Sequence, residues 1–493
     1  MSPLFVGLDL GTSGGRCAIV DEAGVLAASA ARPWTYTTEG LGMAELEPAA
    51  AWTAMTEATR EAVSRVGAGE VEAIGVTSQR TGVVLLDAEG NELYSGPNAD
   101  GRGVAEGLRL EKEFGEEIYR TTGRLPAMLY LPARLGWFRA NRPEVLERTR
   151  WALAYSDWLV HRLTGVAATE PTQAAEMLVY DLKAGAWSDD LCTRLAVPPH
   201  VLPPILDAGA AAGELTAAAA EALGLPASIP VVPAGCDTQC AALAQGVTEP
   251  GRAIVVAGTT MLAEQVSAEP EIDDRRRLWT SPHPAGGFVL EAHCGDAGAA
   301  LSWVTSVLDV DHPSLDAMAA KGQPGGGGMV FVGPVASEVG DFPMLRTGAL
   351  TFPAPLLALA RPREDVARAC VEGAAFAAAA GLEWTQDALG PAGSVAVAGG
   401  VARSETFVRL VASALGREVR TATRRQASGR GAAMLAAVGT GLHPGAAAAA
   451  RAMADAGRVV EPVPEWGGSA YATWRETASR LDANAMRVRN MMG

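Results

Sequence analysis

The chain runs to 493 residues, 48% hydrophobic and 19% charged, with a formal net charge of −16. So long a chain outgrows a single core and predicts two or more domains, and so apolar a composition excludes a largely disordered protein. The acidic balance argues against nucleic acid and membrane surfaces as partners, because both select an excess of Lys and Arg on at least one face.

In chain order, residues 4–8 and 16–20 read as strands around the turn Gly11-Thr12-Ser13-Gly14-Gly15, and "VLAASAARPW" continues them into a meander. Asp9 lies within the first strand although Asp is a poor strand former, and conflicts of that kind gather at functional sites; a plain hairpin is the alternative. "EPAAAWTAMTEATREAVSRVG" has helical periodicity, "VEAIGVTS" reads as a buried strand and "GVVLLDAEGNEL" as a strand entering a turn. Helices follow through "LPARLGWFRANRPEVLERT" and "YSDWLVHRLTG", and "SIPVVPAGCDTQCAALAQG" then gives a strand, a glycine break and a helix. A first unit, 1–247, closes there. A second, 248–493, opens on "AIVVAGTTMLAEQVS", again a strand, a small Gly-Thr turn and a strand. "GQPGGGG" at 322–328 has no Lys or Ser/Thr in phosphate-loop position and is expected to be a flexible connection. The helix "EDVARACVEGAAFAAAAGLEWTQDAL", the strand "SVAVAGG", the helices "SETFVRLVASALG" and "GRGAAMLAAVGTG", and an amphipathic tail helix from Ser469 to Met491 complete the second unit.

The repeated opening predicts an α/β fold of two duplicated domains whose glycine turns face one another across an interdomain cleft. Backbone N–H groups of such turns make concave anion receptors, and residues without bulk let phosphate oxygens approach them.

Taken in order, "GLDLGTSGGR", "AGCDTQCAALAQG", "VAGTTM", "VEGAAFAAAAGLEW" and "VAGGVARSETFVRLVASALGREV" resemble the FGGY family of carbohydrate kinases over nearly the whole chain. That family belongs to the actin and hexokinase-like (ribonuclease H-like) group. The resemblance implies ATP-dependent phosphorylation of a hydroxyl of a small sugar, sugar alcohol or related compound. It makes Asp237 the general base, for which a helix N-cap is the bland alternative. Asp9 and Asp237 would hold Mg2+, Asp9 by way of metal-bound water. Gly11, Thr12, Ser13 and Gly14 are expected to wrap the terminal phosphates of ATP, with Gly258 and Thr259 approaching from the second unit. Gly298, Ser302, Gly399, Gly400 and Ser404 are expected to receive the adenosine. Arg16 reads as added charge or as a solvated strand edge.

On the acceptor side, "TSQRTG" offers Arg80 and Thr81, "PNADGR" keeps Asp100 and Arg102, and Thr238 follows the base. Asn98 and Ala99 stand where relatives carry Trp-Asn, and Leu129, beside Tyr130, stands where glycerol kinases place a Tyr. These departures weaken a glycerol or xylulose assignment, and Asn98 looks more like autoinducer-2 kinases. "GPVASEVGDFPMLRTG" also departs from the family pattern.

Other classes fit less well. A P-loop kinase needs GxxxxGK[ST], but the lysines are Lys112, Lys183 and Lys321 and none follows Gly. A Rossmann dehydrogenase needs a GxGxxG spacing that "GLDLGTSGG" lacks. The rival left standing is an ATP-binding or regulatory member of the same fold with a drifted sugar site, against which the retention of Asp9 and Asp237 speaks. A chaperone-like ATPase is disfavoured by the acceptor segments. The cysteines (Cys17, Cys192, Cys236, Cys240, Cys294, Cys370) are scattered with no CxxC pair, so a reduced, mostly buried set is expected, and neither they nor the isolated His283 and His293 argue for zinc. No apolar run reaches the roughly 18 residues of a membrane span, and the start does not resemble a leader, so a cytoplasmic location is expected. A homodimer is left open.

Overall fold

The computed structural model describes residues 2–40, 42–333, 348–352 and 362–492, with side chains through residue 481. The expected meander forms from β1 (Leu4–Gly11), β2 (Gly14–Asp21) and β3 (Leu26–Pro33), with only Thr12 and Ser13 at the first turn. Helix α1 (Pro48–Val63) begins with Pro, which the first helical position tolerates, and leads to β4 (Val71–Ser78), parallel to β1. Helix α2 (Tyr155–Thr164) and the short β5 (Gly213–Glu214) precede β6 (Pro230–Cys236), which is parallel to β4 and runs straight into helix α3 (Asp237–Ala244). The sheet order is β5–β6–β4–β1–β2–β3. Every residue of β1 is buried, as its near-continuous apolar run requires of a strand covered on both faces.

The second unit opens on antiparallel strands β7 (Arg252–Ala257), β8 (Met261–Ser267), β9 (Leu278–Pro282) and β10 (Phe288–His293). Helices α4 (Ala297–Leu308), α5 (His312–Lys321) and α6 (Arg363–Leu389) follow. Next come β11 (Ser394–Ala398), helix α7 (Glu405–Leu415), β12 (Val419–Thr421), helix α8 (Ala427–Gly439), β13 (Arg458–Val460) and helix α9 (Gly468–Met492). Its sheet order is β9–β10–β8–β7–β11–β12–β13. Within it, β10–β8–β7–β11–β12 repeats the strand directions of β3–β2–β1–β4–β6: two antiparallel pairings, then two parallel ones. The duplication read in the sequence is therefore a duplication of topology.

Helix α8 leaves its own unit and lies on β1, β4, β6 and α3 of the first. The approach is backbone to backbone: a Cβ on Gly7 would come 1.7 Å from Gly429 O, and one on Gly75 1.9 Å from Ala432 O. Helix α6 carries the stretch 374–380, alanines around Phe376, buried on every side, as a helix that is apolar all round must be. Helix α9 docks through buried Trp474, whose Nε1 donates to Phe331 O at 3.0 Å.

Residues 322–328 are not the loose connection that their glycines predict. Gln323 N donates to Asp365 Oδ1 at 2.8 Å and Gly325 N to Glu372 Oε1 at 2.9 Å, while Gly326 is buried where a Cβ would sit 2.6 Å from that of Ala369. The glycines are there to press the chain onto α6. The divergent segment 333–348 lies outside the described residues over 334–347. All six cysteines are free and buried. Among the described residues no helix is long and apolar enough to cross a membrane.

Candidate active site

Asp9 is 3% exposed, and its partner across the β1–β2 pair is Arg16. Arg16 Nη1 donates to Asp9 Oδ2 at 3.1 Å, so Arg16 serves the buried acid while its side chain stays 38% exposed. Burial pushes the Asp9 carboxyl up and Arg16 pulls it back. Asp9 Oδ1 is buried without a hydrogen-bond partner, which suits a cation or the water shell of one.

Asp237 occupies the first turn of α3, and Cys236, not Asp237, holds the N-cap place. A register shift between Pro233 and Gly235 bulges β6 against β4 just before it. Gly235 makes the bulge feasible with φ +85°, and a Cβ there would lie 2.2 Å from Thr172 Oγ1. Bulges beside active sites re-aim side chains, and this one delivers Asp237. Burial, and then the charge of Asp9, pushes the Asp237 carboxyl up to about 7, with Arg80 pulling it down. A carboxylate poised near neutrality is suited to taking a proton.

A closed ring of hydrogen bonds ties the first turn to the acceptor segments. Asn98 Nδ2 donates to Thr12 Oγ1 at 3.2 Å, Asn98 N to Gln79 Oε1 at 3.4 Å, and Gln79 Nε2 to Tyr36 Oη at 3.4 Å. Tyr36 Oη in turn donates to Thr12 O, which also accepts from Trp34 Nε1 at 3.3 Å.

In the second unit, the ends of the parallel strands β7 and β11 and the start of α4 converge. A Cβ on Gly298 would come 2.2 Å from Gly258 O, one on Gly399 2.4 Å from Ala257 O, and Ala299 N donates to Thr259 O at 3.2 Å. Only residues without side chains fit, and crevices beyond the carboxyl ends of parallel strands are where such sheets take ligands.

A dense ionic cluster lies where the two units meet. Arg80 Nη1 sits 2.8 Å from Glu291 Oε2 and 3.6 Å from Glu176 Oε1. Arg124 approaches Glu176 at 2.7 Å, off the hydrogen-bond axis, and Glu291 at 3.0 Å, and also donates to Ser281 Oγ. Glu264 stands directly opposite Glu291 across the β8–β10 pair, and both are fully buried. Burial and then the Glu291 charge hold the Glu264 carboxyl well above its ordinary range; Glu291 is itself buried, but Arg80 and Arg124 outweigh that and keep it ionised. Trp279 lies against both guanidinium groups, 5.3 Å from Arg80 and 5.2 Å from Arg124.

The N-terminal domain of the FGGY family of carbohydrate kinases matches residues 4–244 and its C-terminal domain residues 253–440. The chain belongs to that family. The autoinducer-2 kinase of Yersinia enterocolitica is 28% identical over 462 residues, 89% of this chain and 87% of that one. The xylulose kinase structure from Rhodospirillum rubrum superposes with a TM-score of 0.83 at 27% identity, covering 98% of this chain and 100% of that one. The ligand-bound xylulose kinase from Lactobacillus acidophilus gives 0.85 at 20% identity, covering 99% and 98%, and so shows the fold alone.

For this FGGY carbohydrate kinase, the structure gathers Asp9, Thr12 and Ser13 with Gly11 and Gly14 at the β1–β2 turn, and Gly258, Thr259, Gly298 and Gly399 at the strand ends of the second unit. Gly400 follows Gly399 at the same strand end. Two predicted adenosine residues have their hydroxyls engaged elsewhere. Ser404 Oγ caps α7 by accepting from Phe407 N at 3.0 Å and donates to Asp316 Oδ1 at 2.5 Å, while Ser302 Oγ donates to Gly298 O at 2.9 Å. Asp100 is buried and saturated by Ala44 N, Tyr94 Oη and Arg102 Nε, so it shapes its loop. Thr238 Oγ1 donates to Gln239 Oε1 at 2.8 Å. Thr81 has φ +57°, a strained setting for a β-branched residue beside Arg80. Glu176, Glu264, Glu291, Arg124 and Trp279 were not foreseen. The signal for two of them was present: Glu264 and Glu291 interrupt the apolar strands "MLAEQVS" and "FVLEAH" as Asp9 interrupts β1.

Proposed function

We propose that this kinase transfers the terminal phosphoryl group of ATP to a hydroxyl of a small sugar, sugar alcohol or related compound, with Asp237 as general base. The observation that carries the proposal is the setting of Asp237: delivered by a glycine bulge, buried, facing the charges of Asp9 and Arg80, and raised to about 7. A base there takes the hydroxyl proton as the oxygen attacks. The backbone N–H groups of Thr12, Ser13 and Thr259 would orient the phosphates, with Gly258 giving them room, and the glycine crevice of the second unit would take the adenosine. Asp9, with its orphaned Oδ1, and Asp237 are the residues that would hold Mg2+. When bound, the ion neutralises charge on the phosphates. We place the division between the units at residue 247, the acceptor beside Arg80, Thr81, Asp100 and Thr238, and the enzyme in the cytoplasm. The likeness to autoinducer-2 kinases puts that compound on the list of acceptors to try.

The test is ADP formation over pentuloses, polyols and autoinducer-2 precursor, for the wild type and Asp237→Ala. With the acceptor that turns over, Asp237→Ala loses about a hundredfold to ten-thousandfold in kcat, the usual weight of a general base. Retention of the wild-type rate would remove Asp237 from that role.

A further inference from the structure

The acceptor side holds more charge than phosphoryl transfer uses. Two guanidinium groups and three carboxyls meet there, and burying charges is costly enough that well-packed apolar residues would serve stability as well. What distinguishes this cluster is how Arg80 is used. Only its Nη1 is hydrogen-bonded or ion-paired, while the guanidinium lies over Trp279; Nε and Nη2 meet no acceptor among the described residues, and the side chain keeps 12% exposure. Its charge, however, is met by Glu291 and Glu176, and Arg124, fully buried, leans on the same two carboxylates. Asp237 adds a further acidic group on the side facing Arg80.

We propose that Glu176 and Glu291 are specificity-determining residues: they cancel the charge of Arg80 while leaving its outer N–H donors, so that the acceptor site favours uncharged polyhydroxylated compounds over carboxylate-bearing ones. The proposal rests on Arg80 as an acceptor contact. An unpaired arginine in a cleft recruits carboxylates through its planar fork. Here two carboxylates already hold the guanidinium groups, and an entering anion also meets Asp237. A hydroxyl needs only the remaining donors and brings no charge to desolvate.

Glu264 is the reserve in this arrangement. It faces Glu291 across the strand pair and is held protonated by burial and by that neighbour. If Glu291 lost its charge, Glu264 would ionise in its place, so a decisive variant must change both.

The experiment compares calorimetric binding of D-gluconate and its uncharged counterpart D-glucitol to the full chain in the presence of ADP. The wild type is expected to bind gluconate no more tightly than glucitol. Glu264→Gln with Glu291→Gln is expected to bind gluconate about tenfold tighter than the wild type does, with glucitol within about threefold, because one carboxylate then faces two guanidinium groups. Adding Arg80→Met should erase the gain, and Glu291→Gln alone should show less of it. A wild-type preference for gluconate, or no gain in the double variant, overturns the proposal. If circular dichroism shows that the double variant does not fold, the wild-type ratio decides alone. These ratios need no turnover, so they stand apart from the kinase reading, which fails instead if no acceptor yields ADP.

Discussion

A carboxyl raised to about 7 costs the fold something as well as serving the reaction. Unfolded, Asp237 ionises near its ordinary value of 3.8; folded, it keeps its proton until about 7. Stability therefore falls as pH rises from the lower value to the higher, and the whole loss is present above it. Asp237→Asn is expected to raise Tm by a few degrees at about pH 8 and hardly at all at about pH 4, while turnover collapses. Calorimetric melts at both pH values check this, and an unchanged Tm in the alkaline melt would refute it. In the wild type, kcat/KM for the acceptor should climb with pH to about 7 and level off as the base becomes ionised. The hydrogen-bond ring around Thr12 gives a second expectation. Tyr36→Phe removes one of the two donors to Thr12 O, and the KM for ATP should rise several-fold with the acceptor KM little changed. Steady-state kinetics in both substrates separates the two.

At the scale of elements, the tightest contact is between α8 and the first sheet. A methyl group on Gly75 would meet the carbonyl of Ala432, which cannot swing away without moving the helix. Gly75→Ala should cost roughly 1–3 kcal/mol, the range for overpacking a close-packed interior, read from urea unfolding. That contact was illegible in the sequence, where Gly75 looked like one small residue in a buried strand. The strands and helices themselves were legible, because apolar runs and helical periodicity are local signals. Asp9 and Asp237 were legible as an acid in a strand and an acid at a strand end. The "GQPGGGG" stretch was misread because glycine marks both a loose chain and a chain pressed against a helix, and only the facing surface, here Ala369, decides which. The Glu264–Glu291 pair went unseen for a related reason: each acid is ordinary alone, and the register that sets them opposite is a property of the sheet.

At the scale of the molecule, the two topological units are not two independent bodies, since α8 belongs by sequence to the second and covers the sheet of the first. The intact chain is expected to melt in one cooperative transition. A fragment ending at residue 247 should lack one and bind a hydrophobic dye, because the face around Phe5, Ala73 and Val232 loses its cover. A cooperative melt of that fragment would show that the first unit stands alone. The seam of ions between the units bears on how often the enzyme can fire. Parting two oily surfaces is penalised by every square ångström exposed, whereas parted charges regain their hydration, so a seam crossed by the Arg80–Glu291 and Arg124–Glu291 pairs yields more readily than its depth of burial suggests. An enzyme that must let go of a phosphorylated product in every cycle gains from a seam that water itself helps to open.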